Sequence, residues 1–417
     1  MSIVRTVSLG MRALVVAALV GPAAAAEPAA IPLDAAPADA WPMARGCAGG
    51  TGRSAATLRL PLAERWRREF EKTAFGAVPV IAGGTVYVGD LDGSFHALDL
   101  DTGATKWTHK AEGAGFPSAA AVSLDPAVPL VVVGDDTGMV RGIDVATGME
   151  RWRYETGAEI SGGPTIVAAA GGDGPALRVL VGSQDASLSA LDLATGAVVW
   201  KHSIADQIRC SPTVARSPDG DRVFLAGCDG RLHVIDAATG TEQAAVPIDG
   251  PTGTTPAAAG HRVLFGTEGG VFFGIDFVAG TVAWRTPGAA NGQSYRSSAA
   301  IADGPAGPLA IVGSRGKAIE AFTVADGGRA WRRPLRGRVD GAPVVVSVMG
   351  PAAGPTRPGV IVADAAGKVA ALDAADGAIA WEFDAGGGFS AGAAVASGRV
   401  VLAADDGVVW CFGEGGR

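Results

Sequence analysis

The residues that could carry chemistry in this chain are few, and they form no recognised catalytic motif. Gly388 to Gly392 matches the GxSxG pattern, in which a strand, a sharp turn and a helix present the serine as a nucleophile. The sequence contains no HExxH zinc motif, phosphate-binding loop or CxxCH haem motif. Because the residues around Ser390 predict strands and no helix, we expect that this serine is not a nucleophile.

The charge of the chain excludes one class of partner. Of the 417 residues, 42 are acidic and 34 are lysine or arginine, which gives a net charge of -8. No run of basic residues is dense enough to hold a phosphate backbone. We therefore expect no nucleic-acid partner.

The N-terminus has the pattern of an export signal. Arg5 and Arg12 precede an apolar run over 13–20, and small residues follow at 24–26. The run is well short of the roughly 20 residues that cross a bilayer, and no cysteine stands at the cleavage point. The sequence predicts a cleaved signal peptide over 1–26 and a periplasmic protein with no membrane span and no lipid anchor.

One pattern recurs along the chain: Asp, three residues, Gly, three residues, Trp. Its glycines stand at 103, 148, 196, 240, 280, 327 and 377, at intervals of 40 to 50 residues, which is the period of a propeller blade. Two copies are degraded, with Ala244 in place of tryptophan and Thr323 in place of aspartate. We expect the tryptophans to pack between neighbouring blades; they are Trp66, Trp107, Trp152, Trp200, Trp284, Trp331 and Trp381.

The two ends of the repeat region complement each other. Trp66 lies in a segment, 62–70, that resembles an outermost strand without its three partners, and 393–412 reads as three strands without an outermost one. Joining them makes an eighth blade and leaves no open sheet edge. The sequence predicts an all-β fold: an eight-bladed β-propeller over 61–417, whose last blade is closed by the N-terminal strand, after a lead-in segment over 27–60.

The four cysteines suggest disulfides. Export into an oxidising compartment and an even number of cysteines favour two bridges over a metal site, and no CxxC spacing occurs. Cys210 and Cys228 belong to adjacent strands of one hairpin, so we expect them to pair, with a redox or cofactor-stacking role as the alternative. Cys47 and Cys411 would then pair by elimination.

A resemblance follows from the repeat. The lead-in Trp41-Pro42-Met43-Ala44-Arg45-Gly46 and the segment from Asp90 to Asp99, followed by Gly103 and Trp107, resemble the PQQ-like β-propeller repeat family. That superfamily includes quinoprotein dehydrogenases, which use pyrroloquinoline quinone with calcium, and non-catalytic outer-membrane assembly proteins of the BamB type. The resemblance implies a propeller fold, with either a cofactor site or a protein partner.

Aligning the blades shows which residues enter the mouth of the central channel. The position three residues before each innermost strand is occupied by Gly76, Pro117, Ser161, Arg209, Gly253, Arg296, Asp340 and Ser390. Arg209, Arg296 and Asp340 interrupt a small, neutral ring, and Glu268 and Arg315 lie in loops on the same face. These five residues are the candidate rim for a ligand or partner, although Arg296 and Asp340 could instead form a structural salt bridge.

The landmarks of the quinoprotein enzymes are missing. No two cysteines are adjacent in sequence, and no long insertion separates the blades. His96 and His233 share one repeat column but belong to blades one and four, so we expect ordinary strand residues and no metal site. We therefore expect a monomeric protein-binding platform with no catalytic residue, active in envelope or outer-membrane protein assembly. The alternative is a quinoprotein with pyrroloquinoline quinone and calcium at the channel mouth.

Overall fold

The computed structural model describes residues 33–168, 176–288, 293–350 and 354–415. The predicted signal peptide lies outside these residues. The described residues form strands grouped in eight separate sheets and contain no helix. The prediction of an all-β, eight-bladed propeller is confirmed.

Each of the first four blades is an antiparallel sheet of four strands that follow one another in the chain. Blade one contains β3 (Val80–Ala82), β4 (Thr85–Gly89), β5 (Ser94–Asp99) and β6 (Thr105–Lys110). Blade two contains β7 (Ala121–Val122), β8 (Leu130–Gly134), β9 (Met139–Asp144) and β10 (Glu150–Glu155). Blade three contains β11 (Thr165–Ala168), β12 (Leu177–Gly182), β13 (Ser187–Asp192) and β14 (Val198–Ser203). Blade four contains β15 (Thr213–Ser217), β16 (Gly220–Ala226), β17 (Arg231–Asp236) and β18 (Glu242–Pro247).

The last four blades repeat this order, and the N-terminal strands β1 (Arg53–Arg59) and β2 (Leu62–Glu69) join two of them. Blade five contains β19 (Ala257–Ala259), β20 (Arg262–Gly266), β21 (Val271–Asp276) and β22 (Thr281–Pro287). Blade six contains β23 (Ala300–Gly304), β24 (Gly307–Ser314), β25 (Ala318–Thr323) and β26 (Arg329–Pro334). Blade seven contains β27 (Val344–Met349), β28 (Arg357–Ala363), β29 (Lys368–Asp373) and β30 (Ile379–Asp384). Blade eight contains β31 (Ala394–Ala396), β32 (Arg399–Ala403) and β33 (Val408–Glu414).

The ring is closed by strands from both ends of the chain. β2 pairs antiparallel with β33, with Leu62 opposite Glu414 and Glu69 opposite Val408, and becomes the outermost strand of blade eight. The innermost strands of blades eight and one, β31 and β3, are neighbours. The predicted closure is confirmed, and it removes the sheet edge that β33 would otherwise present to solvent.

The repeat motif fixes both the turn within a blade and the contact with the next blade. In blade two, Asp144 Oδ1 accepts hydrogen bonds from the Thr147 amide and hydroxyl, each at 3.0 Å, and Gly148 adopts a φ of 72°. The Trp107 ring of blade one lies on Gly148, where a Cβ atom would be 2.7 Å from the ring, and its Nε1 donates to Val145 O at 2.9 Å. The same ring and Nε1 contacts recur for Trp66, Trp152, Trp200, Trp284 and Trp331. These tryptophans therefore join their blades to the next.

The lead-in segment occupies the central channel. Trp41 exchanges backbone hydrogen bonds with Ile81 of blade one, while Ala48 O and Thr51 O accept from Val214 N of blade four and Ile301 N of blade six. β1 then adds to blade seven as a fifth strand, parallel to β27. The sequence did not predict this path, because the segment has no repeat and no alternating pattern before β1.

Close approach of backbones in the channel requires glycine in this segment. Gly50 adopts a φ of 65°, and a Cβ atom there would lie 2.4 Å from Pro256 O. Any other residue would have to displace the first strand of blade five. The channel is therefore filled by tightly fitted backbone.

The described part of the chain contains no helix with the length and apolar character of a membrane span.

Candidate binding surface at the channel mouth

The loops that enter the innermost strands surround a shallow basin at one end of the channel. The basin has a volume of about 170 Å³ and is lined by residues from all eight blades, with Ala44 and Arg45 of the lead-in segment among them. All eight residues of the aligned rim position line it: Gly76, Pro117, Ser161, Arg209, Gly253, Arg296, Asp340 and Ser390. Because the lead-in segment fills the channel, the basin is a surface depression and not the entrance to an open tunnel.

Arg45 is a charged residue of this basin that the sequence did not single out. Its side chain is only 4% exposed, and its Nη2 donates to Ala299 O at 2.8 Å and to Pro343 O at 3.2 Å. Its Nε has no hydrogen-bond partner in the described residues. Burial lowers the pKa of this guanidinium to about 10, and the nearby Cys47 thiol opposes that shift. The arginine is still cationic at neutral pH, so the basin contains a buried positive charge with no carboxylate partner among the described residues.

The two predicted rim arginines differ in their partners. Arg209 is exposed, and its Nε and Nη2 donate to Gln207 Oε1 at 3.0 and 2.6 Å. This contact leaves its charge without compensation. Arg296 is also exposed and pairs with Glu268, with 3.0 Å between Nε and Oε1. Such an exposed ion pair contributes little to stability and exchanges readily with a partner's charge.

Asp340 lies between two other arginines. Its Oδ1 is 3.3 Å from Arg315 Nε, and its Oδ2 accepts from Arg338 Nε at 2.7 Å. The alternative of an Arg296–Asp340 salt bridge is therefore wrong: each residue pairs within the loops beside it and not with the other. The structure nevertheless brings all five predicted rim residues to the side of the mouth formed by blades four to seven.

Charge is divided around this face of the ring. The loops at 90–93, 111–115, 135–138 and 204–208 carry the exposed acidic residues Asp92, Glu112, Asp136 and Asp206. The loops at 293–297, 315–317 and 335–340 carry Arg296, Arg315, Lys317, Arg336 and Arg338. The result is a basic sector on blades six and seven within a mainly acidic rim, which can orient a charged partner.

Other carboxylates on this face stabilise their own loops. Asp135 Oδ1 accepts from the amides of Thr137 and Met139, and Asp364 accepts from the amides of Gly337, Ala366 and Lys368. Both aspartates are buried. Their oxygens are committed to donors of their own or neighbouring loops and, for Asp135, to Arg141. They therefore act as turn-forming residues and do not converge on one point of the mouth.

The predicted disulfides are not formed, because all four cysteines are free thiols. Cys47 lies in the channel segment, 3.1 Å from Thr51 Oγ1, whereas the Cys411 thiol in β33 contacts Leu100 O at 3.8 Å. The Cys228 sulfur contacts Thr252 O of the next blade at 3.8 Å and not its hairpin neighbour Cys210. Burial raises the pKa of Cys210 and of Cys411 to about 12, so neither is a thiolate at neutral pH.

Ser390 has no catalytic surroundings. Its hydroxyl donates to Asp405 Oδ1 at 2.6 Å and its amide to the same oxygen at 3.0 Å. The residue lies in the loop before β31 with no helix after it. A serine bonded to a carboxylate instead of an imidazole lacks the base that a nucleophile needs.

A protein-family model described as outer membrane protein assembly factor BamB matches residues 62–173, 184–349 and 315–415. These ranges cover most of the chain. The chain belongs to this family. The resemblance to PQQ-like propellers that the repeat indicated is therefore confirmed. No curated protein matches the sequence significantly.

Solved structures with different functions share the fold. The crystal structure of BamB from Moraxella catarrhalis superposes with a TM-score of 0.63 at 19% identity, covering 85% of this chain and 100% of that one. Quinohemoprotein alcohol dehydrogenase from Comamonas testosteroni gives a TM-score of 0.65 at 16% identity, covering 91% of this chain and 81% of that one. A computationally designed protein, Ika8, gives a TM-score of 0.65 at 18% identity, covering 84% of this chain and 99% of that one. At these identities the likeness concerns the fold and not the activity.

Proposed function

We propose that this chain is an exported, non-catalytic platform that binds another protein through the channel-mouth face. The family description names outer membrane protein assembly, and the predicted signal peptide directs the chain to the compartment where such assembly takes place. A propeller offers this role a rigid ring on which short loops from every blade meet one surface.

The observation that carries the proposal is the filled channel. Pockets that enclose small molecules measure roughly 300–1,000 Å³, whereas the basin measures about 170 Å³ because the lead-in segment lies beneath it. A depression of this size accepts a side chain of a partner. It does not enclose a substrate.

The charges of the basin indicate what that side chain is. Arg45 is buried without a carboxylate, and Arg209 bonds only an amide oxygen. A carboxylate that enters the basin would gain charge-assisted hydrogen bonds from arginines that have no acidic partner in the described residues. We therefore propose that the partner places an aspartate or glutamate, or its C-terminal carboxylate, in the basin.

The residues of the mouth do not fit pyrroloquinoline quinone with calcium. Calcium takes six to eight oxygen ligands, and the one carboxylate that lines the basin, that of Asp340, already pairs with Arg315 and Arg338. The basin has no second carboxylate among its lining residues with which to complete a calcium site.

The experiment is a pull-down from envelope extract, using the tagged mature protein and its charge-reversal variants. The double variant Arg209→Glu, Arg296→Glu should lose the partner, because it replaces two of the basin's positive charges by negative ones. Arg151→Glu is the matched control, since Arg151 is 62% exposed and lies on the outermost strand β10, away from the mouth.

Three outcomes would contradict the proposal. Wild-type protein could recover no partner, or the double variant could retain the wild-type partner as fully as Arg151→Glu does. Alternatively, pyrroloquinoline quinone and calcium could co-elute with the protein on gel filtration and support dye reduction by an alcohol or sugar. That third result would establish the dehydrogenase alternative.

A further inference from the structure

Three potential metal ligands meet where blade three contacts blade four, on the circumference and away from the mouth. His202 belongs to β14, the outermost strand of blade three, while His233 and Glu242 belong to β17 and β18 of blade four. One potential ligand atom of each residue lies within 4.8 Å of the ligand atoms of the other two residues. Glu242 Oε1 is 2.6 Å from His233 Nδ1 and 3.9 Å from His202 Nε2.

The repeat explains how His202 reaches blade four. Trp200 lies on Gly240 of the next blade, and His202, two residues further along the same strand, is on the same side of the strand. In blades one and five the residue two positions after the column tryptophan bonds a backbone carbonyl of the next blade. His109 bonds Gly148 O at 3.2 Å and Thr286 bonds Gly327 O at 2.8 Å. His202 instead turns a ring nitrogen towards Glu242.

Both ring nitrogens of His233 lie at hydrogen-bond distance from carboxylate oxygens. Its Nε2 lies 2.9 Å from Asp229 Oδ2 and its Nδ1 lies 2.6 Å from Glu242 Oε1, and the His233 side chain is only 5% exposed. A neutral imidazole has one N–H donor and one acceptor nitrogen, whereas a carboxylate only accepts. One of the two contacts therefore lacks a proton unless a second proton or a metal ion is present.

In two other blades, the residue three positions before the turn aspartate has a hydrogen-bond partner for each of its polar groups that faces a carboxylate or hydroxyl. In blade two, Arg141 also stands three residues before the turn aspartate, and its permanent charge lies 2.9 Å from Asp135 and 2.9 Å from Glu150. In blade one, His96 bonds Asp90 with Nε2 and the Thr108 hydroxyl with Nδ1, both at 3.2 Å. A hydroxyl can donate to the second nitrogen, so His96 needs no added charge. His233 likewise lies between an aspartate and a glutamate, but it has no permanent charge such as that of Arg141.

We infer that His202, His233 and Glu242 form a binding site for a first-row transition-metal dication, with zinc as the representative ion. Two imidazoles and a carboxylate are a ligand set that zinc accepts, with a fourth position left to water. Tetrahedral bonds of about 2.0 Å place ligand atoms about 3.3 Å apart. This separation lies between the 2.6 Å from Glu242 Oε1 to His233 Nδ1 and the 3.9 Å from Glu242 Oε1 to His202 Nε2. Asp229 accepts from His233 Nε2 and so directs Nδ1 towards the ion.

The expectation of no metal site rested on His96 and His233, which lie in different blades. The structure brings His233 together with His202 instead. The Glu242 side chain is 37% exposed, so an ion can enter from solvent and keep a bound water.

The test uses the full chain without a polyhistidine tag, freed of metal by a chelator and then dialysed. Zinc titration by calorimetry and the visible spectrum of added cobalt(II) measure binding. Wild-type protein should bind one equivalent with a tetrahedral cobalt spectrum. His202→Ala and His233→Ala should each weaken binding at least tenfold, and Asp229→Asn should weaken it by about 10- to 100-fold.

His96→Ala and His109→Ala are the matched controls and should bind as wild type does, because they change histidines in the corresponding positions of blade one. His202→Ala alters a half-buried residue of an outermost strand, so its apo form should melt at the wild-type temperature even if the His233 variant is destabilised. The inference is overturned if wild type binds no ion, if His202→Ala binds as tightly as wild type, or if the cobalt spectrum shows the intense near-ultraviolet absorption of a thiolate ligand.

Discussion

The contact between a tryptophan and the following blade's glycine is the smallest unit from which this ring is built. Trp331 Nε1 donates to Ala374 O at 2.9 Å, and its ring lies on Gly377, whose φ is 69°. A Cβ atom on Gly377 would lie 2.6 Å from that ring. The glycine thus satisfies two constraints at once, the turn conformation and the space beneath the indole.

These two constraints can be separated by a pair of substitutions. Gly280 has a φ of 66° but faces Ala244, whose Cβ would lie 4.0 Å from a Cβ atom added to the glycine. Gly280→Ala should lower the free energy of unfolding by about 1–2 kcal/mol, the cost of the left-handed conformation. Gly377→Ala should lower it by about 1–3 kcal/mol more, because the new methyl group displaces Trp331. Urea unfolding followed by circular dichroism measures both, and equal losses would show that the indole contact has no energetic role.

At the scale of the strand and its turn, the repeat aspartate stabilises the hairpin between the third and fourth strands. Asp99 Oδ1 accepts from the Thr102 hydroxyl at 2.9 Å and from its amide at 3.1 Å. The Thr102 hydroxyl, together with its amide and Lys106, lowers the pKa of Asp99, and partial burial opposes that shift. The carboxylate form is therefore bound more favourably in the folded chain than in the unfolded chain.

The turn should be sensitive to acid. Since the folded-state pKa of Asp99 is below its unfolded value, its contribution is complete above the unfolded pKa and disappears as the pH falls through the folded pKa. Asp99→Asn should therefore be less stable than wild type at neutral pH, by under about 1 kcal/mol because the site is partly exposed. The difference should vanish near the bottom of the carboxyl range.

Urea midpoints of both proteins at neutral and acidic pH measure this difference. Thr102→Val, which removes the hydroxyl donor, should reproduce part of the pH-dependent loss. A stability difference that stayed constant with pH would contradict the role given to the charge of Asp99.

The strands of the blades could be predicted from the sequence, whereas the lead-in segment could not. The turn after Asp99 is local, so the period of the repeat alone predicted the blades and their number. β1 pairs with β27, a strand almost 300 residues away. It is not part of a repeat motif, so nothing near it in the sequence indicates its partner. Arg45 was missed for the same reason, because its burial depends on blades six and seven, to whose backbone it donates.

The metal cluster illustrates a second limit. The repeat column showed that His96 and His233 lie in different blades, which is correct. The column does not show that an outermost strand reaches over the next blade, so His202 and His233 could not be paired by spacing. Contacts within a blade follow from local sequence, while contacts between blades depend on the closed ring.

At the scale of the whole molecule, the N-terminal strands complete blades seven and eight and link the end of the ring to its beginning. β2 covers β33, and Trp66 on β2 packs against Gly103 of blade one, which links blade eight to blade one. Without β2, the unpaired edge of β33 would be exposed along its length.

Removing these strands should open the ring. A chain that begins at residue 33 should be monomeric and as stable as the mature protein, whereas one that begins at residue 71, without β1 and β2, should melt at a lower temperature and associate through β33. A chain that begins at residue 61 keeps β2 but lacks the channel segment and β1. Its stability therefore separates the contribution of β2 from that of the channel segment. Gel filtration with light scattering and thermal unfolding measure the outcome. A monomeric 71–417 chain with unchanged melting would contradict the closure argument.

Because β2 precedes the blades in the chain and its partner β33 comes after them, the order in which these strands are synthesised matters. The lead-in segment is synthesised before the eight blades, and it has no partner in the channel until their innermost strands follow. The blades must therefore assemble around this segment, and blade eight cannot close before β33 has been synthesised. Residues 36–69 therefore gain their hydrogen-bond partners in the blades only after those blades have been synthesised.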